Sequence, residues 1–270
     1  MTGKCLLIIL DGCRPDALAQ AHTPNIDSLW QSGAYTWTAR TVMPSITLPT
    51  HNSMFRSVPP GKHGVGANNQ HNPMAFAFPS ILDVARQVGK HTAMFYSWEE
   101  LRDLAAPGSL NLSYCRRAVW GQDNDTPVTR VAVDYLVSEQ PDFAVLYMGD
   151  VDIAGHLYGW MSAEYLATIE ANDRAVGLVL ASLAAARLRD TYTILVQADH
   201  GGHGKDHGTD SPEDMTIPWI LNGVGVQRGY AIPDPVHICD TAATIAHVLS
   251  IPRPDVWEGK PVYAAFVDRT

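Results

Sequence analysis

The sequence predicts a three-layer α/β/α sandwich with a mostly parallel central sheet. Three observations carry that expectation. Short apolar runs at 6–10, 143–148 and 193–198 are bounded by polar residues or glycine, the pattern of strands buried on both faces. Segments with helical periodicity lie between them, and such alternation builds layered α/β domains. Asp11, Asp152 and Asp199 each fall just past one of the three runs, and ligands in parallel sheets gather at the carboxyl ends of strands.

Each element can be justified in chain order. The first strand, 6–10, is Leu-Leu-Ile-Ile-Leu and ends on Asp11. A helix over 23–29 follows from Thr23 as a cap and Pro24 at the first helical position. Residues 59–77 hold Gly61, Gly64, Gly66, Asn68, Asn69 and Asn72 and read as a long irregular loop, often a functional feature in a compact domain. Helical spacing recurs over 80–88, where the apolar positions are 81, 82, 84, 85 and 88 and Gly89 ends the pattern. A weaker strand candidate covers 93–96. A helix over 129–138 precedes the strand at 143–148, and a long Ala- and Leu-rich helix covers 162–188. The strand at 193–198 leads into Asp199-His200-Gly201. A weak strand at 218–221 and a helix at 240–249, capped by Asp240, complete the chain.

The chain of 270 residues reads as one domain over 1–270, with a small substrate-side insertion around 69–125. Hydrophobic residues make up 46% and charged residues 17%, an ordinary globular mixture. A net charge of −9 without any block of Lys or Arg argues against a nucleic-acid groove. Cys5, Cys13, Cys115 and Cys239 include no C-x-x-C pair, so reduced thiols are expected. Met1 to Lys4 lead straight into the first strand, and no apolar run reaches the length of a membrane span. A cytoplasmic location without a signal peptide or membrane partner is the resulting expectation.

Carboxylates and imidazoles spread along the chain, several at strand ends, suit a two-metal hydrolytic site. Asp11 alone equally suits a turn or helix cap. Asp152 and His156 are four apart, so one helical turn places both on the same side. Adjacent Asp199 and His200 need a sharp turn to converge on one ion. Further on, His203 and His207 are both ligand candidates. Thr47 becomes a nucleophile only if a metal or base lowers its hydroxyl pKa, and otherwise reads as a turn or helix-start residue. Asn68 equally suits a turn. Trp98, Tyr114 and Trp120 are read as core or rim packing, and His51 as support for the Thr47 loop.

Seven segments, in order, resemble the alkaline phosphatase superfamily, above all its nucleotide pyrophosphatase/phosphodiesterase branch. They are Asp11-Gly-Cys-Arg-Pro-Asp16, Thr23-Pro-Asn-Ile-Asp27, Thr47-Leu-Pro-Thr-His51, Pro60-Gly-Lys-His-Gly-Val-Gly-Ala-Asn68, Asp152-Ile-Ala-Gly-His156, Ala198-Asp-His-Gly201 and His207-Gly-Thr-Asp210. The resemblance implies two divalent metal ions, zinc first and manganese or iron as alternatives. It assigns Asp11, Thr47, Asp199 and His200 to one ion and Asp152, His156 and His207 to the other. His207 is preferred over His203 because it opens an H-G-x-D string. Thr47 is the implied nucleophile, passing through a covalent phosphothreonine. Asn68, with the backbone amide at the nucleophile, is implied to hold a phosphoryl oxygen. The implied partner is a small phosphorylated substrate, namely a phosphodiester, a nucleotide or a phosphonate.

Two departures from the family pattern stand out. Only six residues separate His200 from His207, where large nucleotide pyrophosphatases carry a long insertion. Thr50 stands where the family's nucleophile motif usually has Asn. The alternatives are a phosphonoacetate-type phosphonate hydrolase, a phosphomonoesterase and a metal-free binding module. A sulfatase is disfavoured, because Thr47-Leu-Pro-Thr-His51 lacks the Cys or Ser of that family's C/S-x-P-x-R signature.

Overall fold

The computed structural model describes residues 3–267. Its first half runs β1 (Lys4–Leu10), α1 (Pro15–Leu18), α2 (Pro24–Gln31), β2 (Ala34–Arg40), α3 (Thr47–Arg56), α4 (Pro60–His63), α5 (Ile81–Gln87), β3 (Thr92–Tyr96) and β4 (Leu112–Cys115). The second half runs α6 (Asp125–Ser138), β5 (Phe143–Met148), α7 (Asp150–Tyr158), α8 (Ala163–Ala185), β6 (Tyr192–Gln197), α9 (Pro212–Met215), β7 (Thr216–Asn222), β8 (Tyr230–Ala231) and α10 (Asp240–Leu249).

The strands form one eight-stranded sheet in the order β4-β3-β5-β1-β6-β7-β2-β8. β7 is antiparallel to both its neighbours, and every other pairing is parallel. β5 and β6 are buried at every position and β1 from Cys5 onward, so both faces of the sheet centre are covered. On one side α8 packs against α6, α7 and α2; elsewhere α10 packs against α3, α5 and β1. This is the expected three-layer α/β/α arrangement.

Local chemistry explains several boundaries. The helix expected over 80–88 starts at Ile81 through a capping box. Ser80 Oγ accepts from the Asp83 amide at 3.2 Å, and the Asp83 carboxylate accepts from the Ser80 amide at 2.8 Å. The helix expected from 129 begins earlier, at Asp125, because Asp150 accepts the amide hydrogens of Asn124 and Asp125 at its start. The helix expected to reach 188 stops at Ala185, and Arg187 then turns left-handed at φ 59°.

The expected loop at 59–77 is partly ordered: α4 and a 3-10 turn over Pro73–Ala77 frame an irregular stretch at 64–72. Within 69–125, where an insertion was expected, lie α5 and two strands of the main sheet, β3 and β4. β2 and β4 were not anticipated. Among the described residues no helix is long and apolar enough to cross a membrane.

Candidate metal centre and active site

β5, β1 and β6 are adjacent and parallel, with Leu10 opposite Met148 and Ile9 opposite Gln197. Their carboxyl ends therefore reach one rim together. Asp11 follows β1 directly, Asp152 sits in the first turn of α7 just after β5, and Asp199 lies two residues past β6. The chain turns sharply at Gly12, whose φ of +67° favours glycine. A Cβ there would also meet Asp152 Oδ1 at 3.1 Å. The Gly12 amide instead donates to Asp199 Oδ1 at 3.1 Å, tying two of the strand ends together.

Two groups of ligand-type side chains result. Asp11, Asp199 and His200 bring one ligand atom each within 4.8 Å of one another, and so do Asp152, His200 and His207. His200 Nε2 is 3.2 Å from Asp11 Oδ1 and 3.4 Å from Asp199 Oδ2. Asp152 reaches His207 Nε2 at 3.6 Å through Oδ1 and His156 Nε2 at 3.5 Å through Oδ2. His156 lies outside both compact trios, while His200 belongs to both.

The histidine tautomers follow from their partners. Nδ1 of His156 donates to the Lys205 carbonyl at 2.9 Å, that of His200 to Gly201 at 2.7 Å, and that of His207 to Ser45 at 2.8 Å. A carbonyl can only accept, so each Nδ1 carries a proton, and in the neutral ring Nε2 keeps a free lone pair facing the carboxylates. That is the state an imidazole needs to bind a metal, held by its outer partner. Asp11 Oδ1 and Asp152 Oδ1 are buried with no hydrogen-bond partner among the described residues. Buried oxygens left this way are costly unless something else satisfies them. The donor set therefore fits a pair of divalent cations.

Thr47 is the first residue of α3, whose entire length is buried. Pro49 is tolerated there because first-turn amides have no intrahelical acceptor. Thr47 Oγ1 is 3.2 Å from His200 Nε2, within the first group. Asn68 Oδ1 accepts from the Leu48 amide at 2.8 Å, which places Asn68 against the start of α3. His51 Nδ1 contacts the Thr47 carbonyl at 2.8 Å and lies 3.4 Å from Asp199 Oδ2. Thr50, which stands in place of the usual Asn, donates to Asp199 Oδ2 at 3.2 Å. All these groups meet beside the rim.

The electrostatics are those of crowded acids. Burial, then the charges of Asp199 and Asp152, push the Asp11 carboxyl well above its ordinary range. Burial also opposes ionisation of Asp199, but His200 and His51 together outweigh it and hold that carboxyl below its ordinary value. Burial first, and then His200, lower His207 to about 4. Opposed environments of this kind are common where side chains do chemistry.

The sequence reading did not single out four contributors. The Tyr147 hydroxyl donates to Asp11 Oδ2; a phenol inside an otherwise apolar strand was the available signal. Trp160 Nε1 donates to the Gly12 carbonyl at 2.9 Å, and its ring meets those of His156 and His207 edge-on. Gly202 makes room for that indole, since a Cβ there would lie 2.2 Å from it. The Ser45 carbonyl fixes His207. His203 pairs instead with Asp214 at 2.7 Å, away from both groups. Trp120 is 58% exposed and stacks on His156 with centroids 6.1 Å apart. It lines a cleft of about 530 Å³ together with Asp11, Thr47, Asn68, Asp152 and His207.

Comparison with known proteins is consistent with this geometry. The model of the family described as type I phosphodiesterase / nucleotide pyrophosphatase matches residues 5–81 and 79–211. Ectonucleotide pyrophosphatase/phosphodiesterase family member 3 of Mus musculus is 27% identical over 220 residues, covering 73% of this chain and 24% of its own length. A venom phosphodiesterase of Macrovipera lebetinus is 26% identical over 223 residues, covering 73% and 25%. The chain thus spans about a quarter of the length of these relatives. Among solved structures, human ectonucleotide pyrophosphatase / phosphodiesterase 5 superposes with a TM-score of 0.80 at 15% identity, over 95% of this chain and 97% of the other. A 2-O glycosaminoglycan sulfatase gives 0.78 at 15% identity, over 97% and 73%. At such identities the likeness concerns the fold.

Proposed function

The chain belongs to the type I phosphodiesterase / nucleotide pyrophosphatase family, and from that premise we propose that it hydrolyses phosphodiester or pyrophosphate bonds of small phosphorylated substrates, using Thr47 as nucleophile. One observation carries the reading. Three imidazoles, each fixed as the Nδ1–H tautomer, present bare Nε2 atoms to three carboxylates beside a threonine at a helix start.

Asp11, Thr47, Asp199 and His200 would hold one divalent cation, and Asp152, His156 and His207 the other, with zinc first on the mixed Asp/His donor set. When bound, the two cations supply positive charge for the attacking and leaving oxygens. Thr47 Oγ1 gives up its proton and attacks phosphorus as the bond to the leaving oxygen breaks; that oxygen takes up a proton and departs as alcohol or phosphate, and Thr47 is left esterified to a phosphorus that keeps the substrate's other substituent. Water then attacks the same phosphorus, the bond to Thr47 breaks, and the remaining phosphate product departs. Asn68, whose Oδ1 accepts the Leu48 amide hydrogen at 2.8 Å, keeps its Nδ2 hydrogens to donate to a non-bridging oxygen. His51 and Thr50 keep the helix start and Asp199 in register.

Comparing kcat/KM for bis-p-nitrophenyl phosphate, nucleotides, an alkyl phosphonate and p-nitrophenyl phosphate tests the reading. Diesters or nucleotides should exceed the monoester by at least tenfold. A metal-loaded protein inert toward all four would overturn it, and a preference for the phosphonate would redirect it to C–P cleavage.

A further inference from the structure

The cleft above the metal groups is lined by one basic side chain among the described residues, Arg117. Arg116 does not line it, and two other guanidinium groups nearby are already engaged. Arg14 is held by Asp16 and the Gly202 carbonyl. Arg102, in the adjoining chamber, pairs with Glu99 at 3.0 Å and Asp103 at 3.2 Å. Glu99 and Glu100 line the same cleft as Arg117, yet no ion pair joins either of them to it among the described residues.

Arg117 is not on a loose loop. The Arg116 amide donates to the Tyr96 carbonyl at 3.0 Å and the Ala118 amide to Ser97 at 2.8 Å. These bonds continue the parallel β3–β4 pairing past Cys115, so Arg117 is carried to the same carboxyl rim as Asp11. Three residues on, the Trp120 indole covers His156 and leaves a broad apolar surface open in the cleft. A ligand whose phosphorus rests at Thr47 thus meets an indole and an unpaired guanidinium on the cleft wall. In a chain of net charge −9, an anionic ligand is repelled overall, so one free cation at that point weighs heavily. A guanidinium fork matches carboxylate and phosphate oxygens alike.

Resting on the phosphoester reading above, we infer that Arg117 binds a second anionic group, carboxylate or phosphate, on the substrate away from the reacting phosphorus. The preferred substrates are then phosphorus esters carrying such a group, with Trp120 packing against the part that joins the two.

Matched aryl diesters test this. 4-Carboxyphenyl 4-nitrophenyl phosphate and its carboxamide differ by one charge at constant shape, and a 4-phosphonophenyl ester serves as the tetrahedral counterpart. In the metal-loaded full chain, the carboxylate should exceed the carboxamide in kcat/KM by about fivefold, the size of one ion pair on an exposed wall. Arg117→Gln should bring that ratio to about one, and Arg117→Glu should invert it. Whichever of the carboxylate and phosphonate esters shows the larger ratio identifies the group that is read. Turnover with no anionic preference, or a preference that survives Arg117→Gln, overturns the role of Arg117 and leaves the phosphoester reading standing. Absence of turnover on every ester overturns both.

Discussion

The imidazoles of His200 and His207 lie face to face, with centroids 3.9 Å apart and planes 14° from parallel. His200 sits among Asp11 and Asp199, and His207 beside Asp152, so the stacked pair joins the two ligand groups. Neither ring can turn without losing its carbonyl bond, to Gly201 or to Ser45. The arrangement couples the two halves of the site mechanically.

Thr47→Ala removes the proposed nucleophile and leaves the start of α3 intact, because Thr50 and His51 bond the residue 47 carbonyl rather than its hydroxyl. Turnover of bis-p-nitrophenyl phosphate should fall by roughly three orders of magnitude or more. Thermal stability should stay close to wild type. Mass spectrometry of rapidly quenched wild-type protein should find a 4-nitrophenyl phosphoryl group on Thr47; near-normal activity in the variant would rule out the covalent route.

Asp152 reaches His156 Nε2 at 3.5 Å and His207 Nε2 at 3.6 Å. Asp152→Ala should therefore lose about one equivalent of metal, read by inductively coupled plasma mass spectrometry after dialysis against zinc. Wild type should hold two, and chelation should lower its Tm, since ligands that bind only the native state stabilise it. A variant that still binds two equivalents would show that the ligands are divided differently.

Tyr147 stays protonated, because burial first and then the Asp11 charge drive its pKa well above normal, and so it remains a donor to Asp11. Tyr147→Phe leaves that carboxylate oxygen unsupported. Zinc affinity by calorimetric titration should drop about 10- to 100-fold, the usual effect of losing an outer partner of a ligand. An unchanged Kd would reduce Tyr147 to a packing residue.

His63 makes stability fall toward acid pH. It is buried in the core, accepts from the Val65 amide at Nδ1 (3.1 Å) and meets Ser53 Oγ through Nε2 at 3.0 Å. Burial, then the charge of Arg56, lower its pKa from 6.5 to about 4. The unfolded chain thus binds the proton more readily, so stability is full above pH 6.5 and is lost as pH falls toward 4. Urea midpoints on metal-free protein should drop across that window, and less steeply in His63→Gln. Equal slopes in the two proteins would exclude His63 as a source.

The sequence made β1, β5 and β6 legible because each is an unbroken apolar run, and the three supply the aspartates of the site. β2 and β4 escaped notice for a physical reason. β2 alternates aromatic residues with threonine and ends on Arg40, and β4 is the short, half-exposed run Leu-Ser-Tyr-Cys, so neither presents a continuous apolar signal. The eight candidate site residues could be read by their order, and the structure brings them to one rim. His200 lying between both groups could not be read, since it depends on a ring stack between loops. Tyr147, Trp160 and Arg117 stayed hidden because a phenol, an indole and a lone cation look like packing or solubility until their neighbours are known.

Three neighbouring strands carry the acids, and the backbone ladder of a sheet spaces its strands by about 4.8 Å. The spacing of the acids along the rim is thus gauged by main-chain hydrogen bonds as well as by side-chain reach. Lengthening an acid by one methylene, as in Asp11→Glu, should upset that calibration more than repacking the apolar interior of β1. Divergence among such chains is then easiest on the walls of the cleft and hardest at the strand tips.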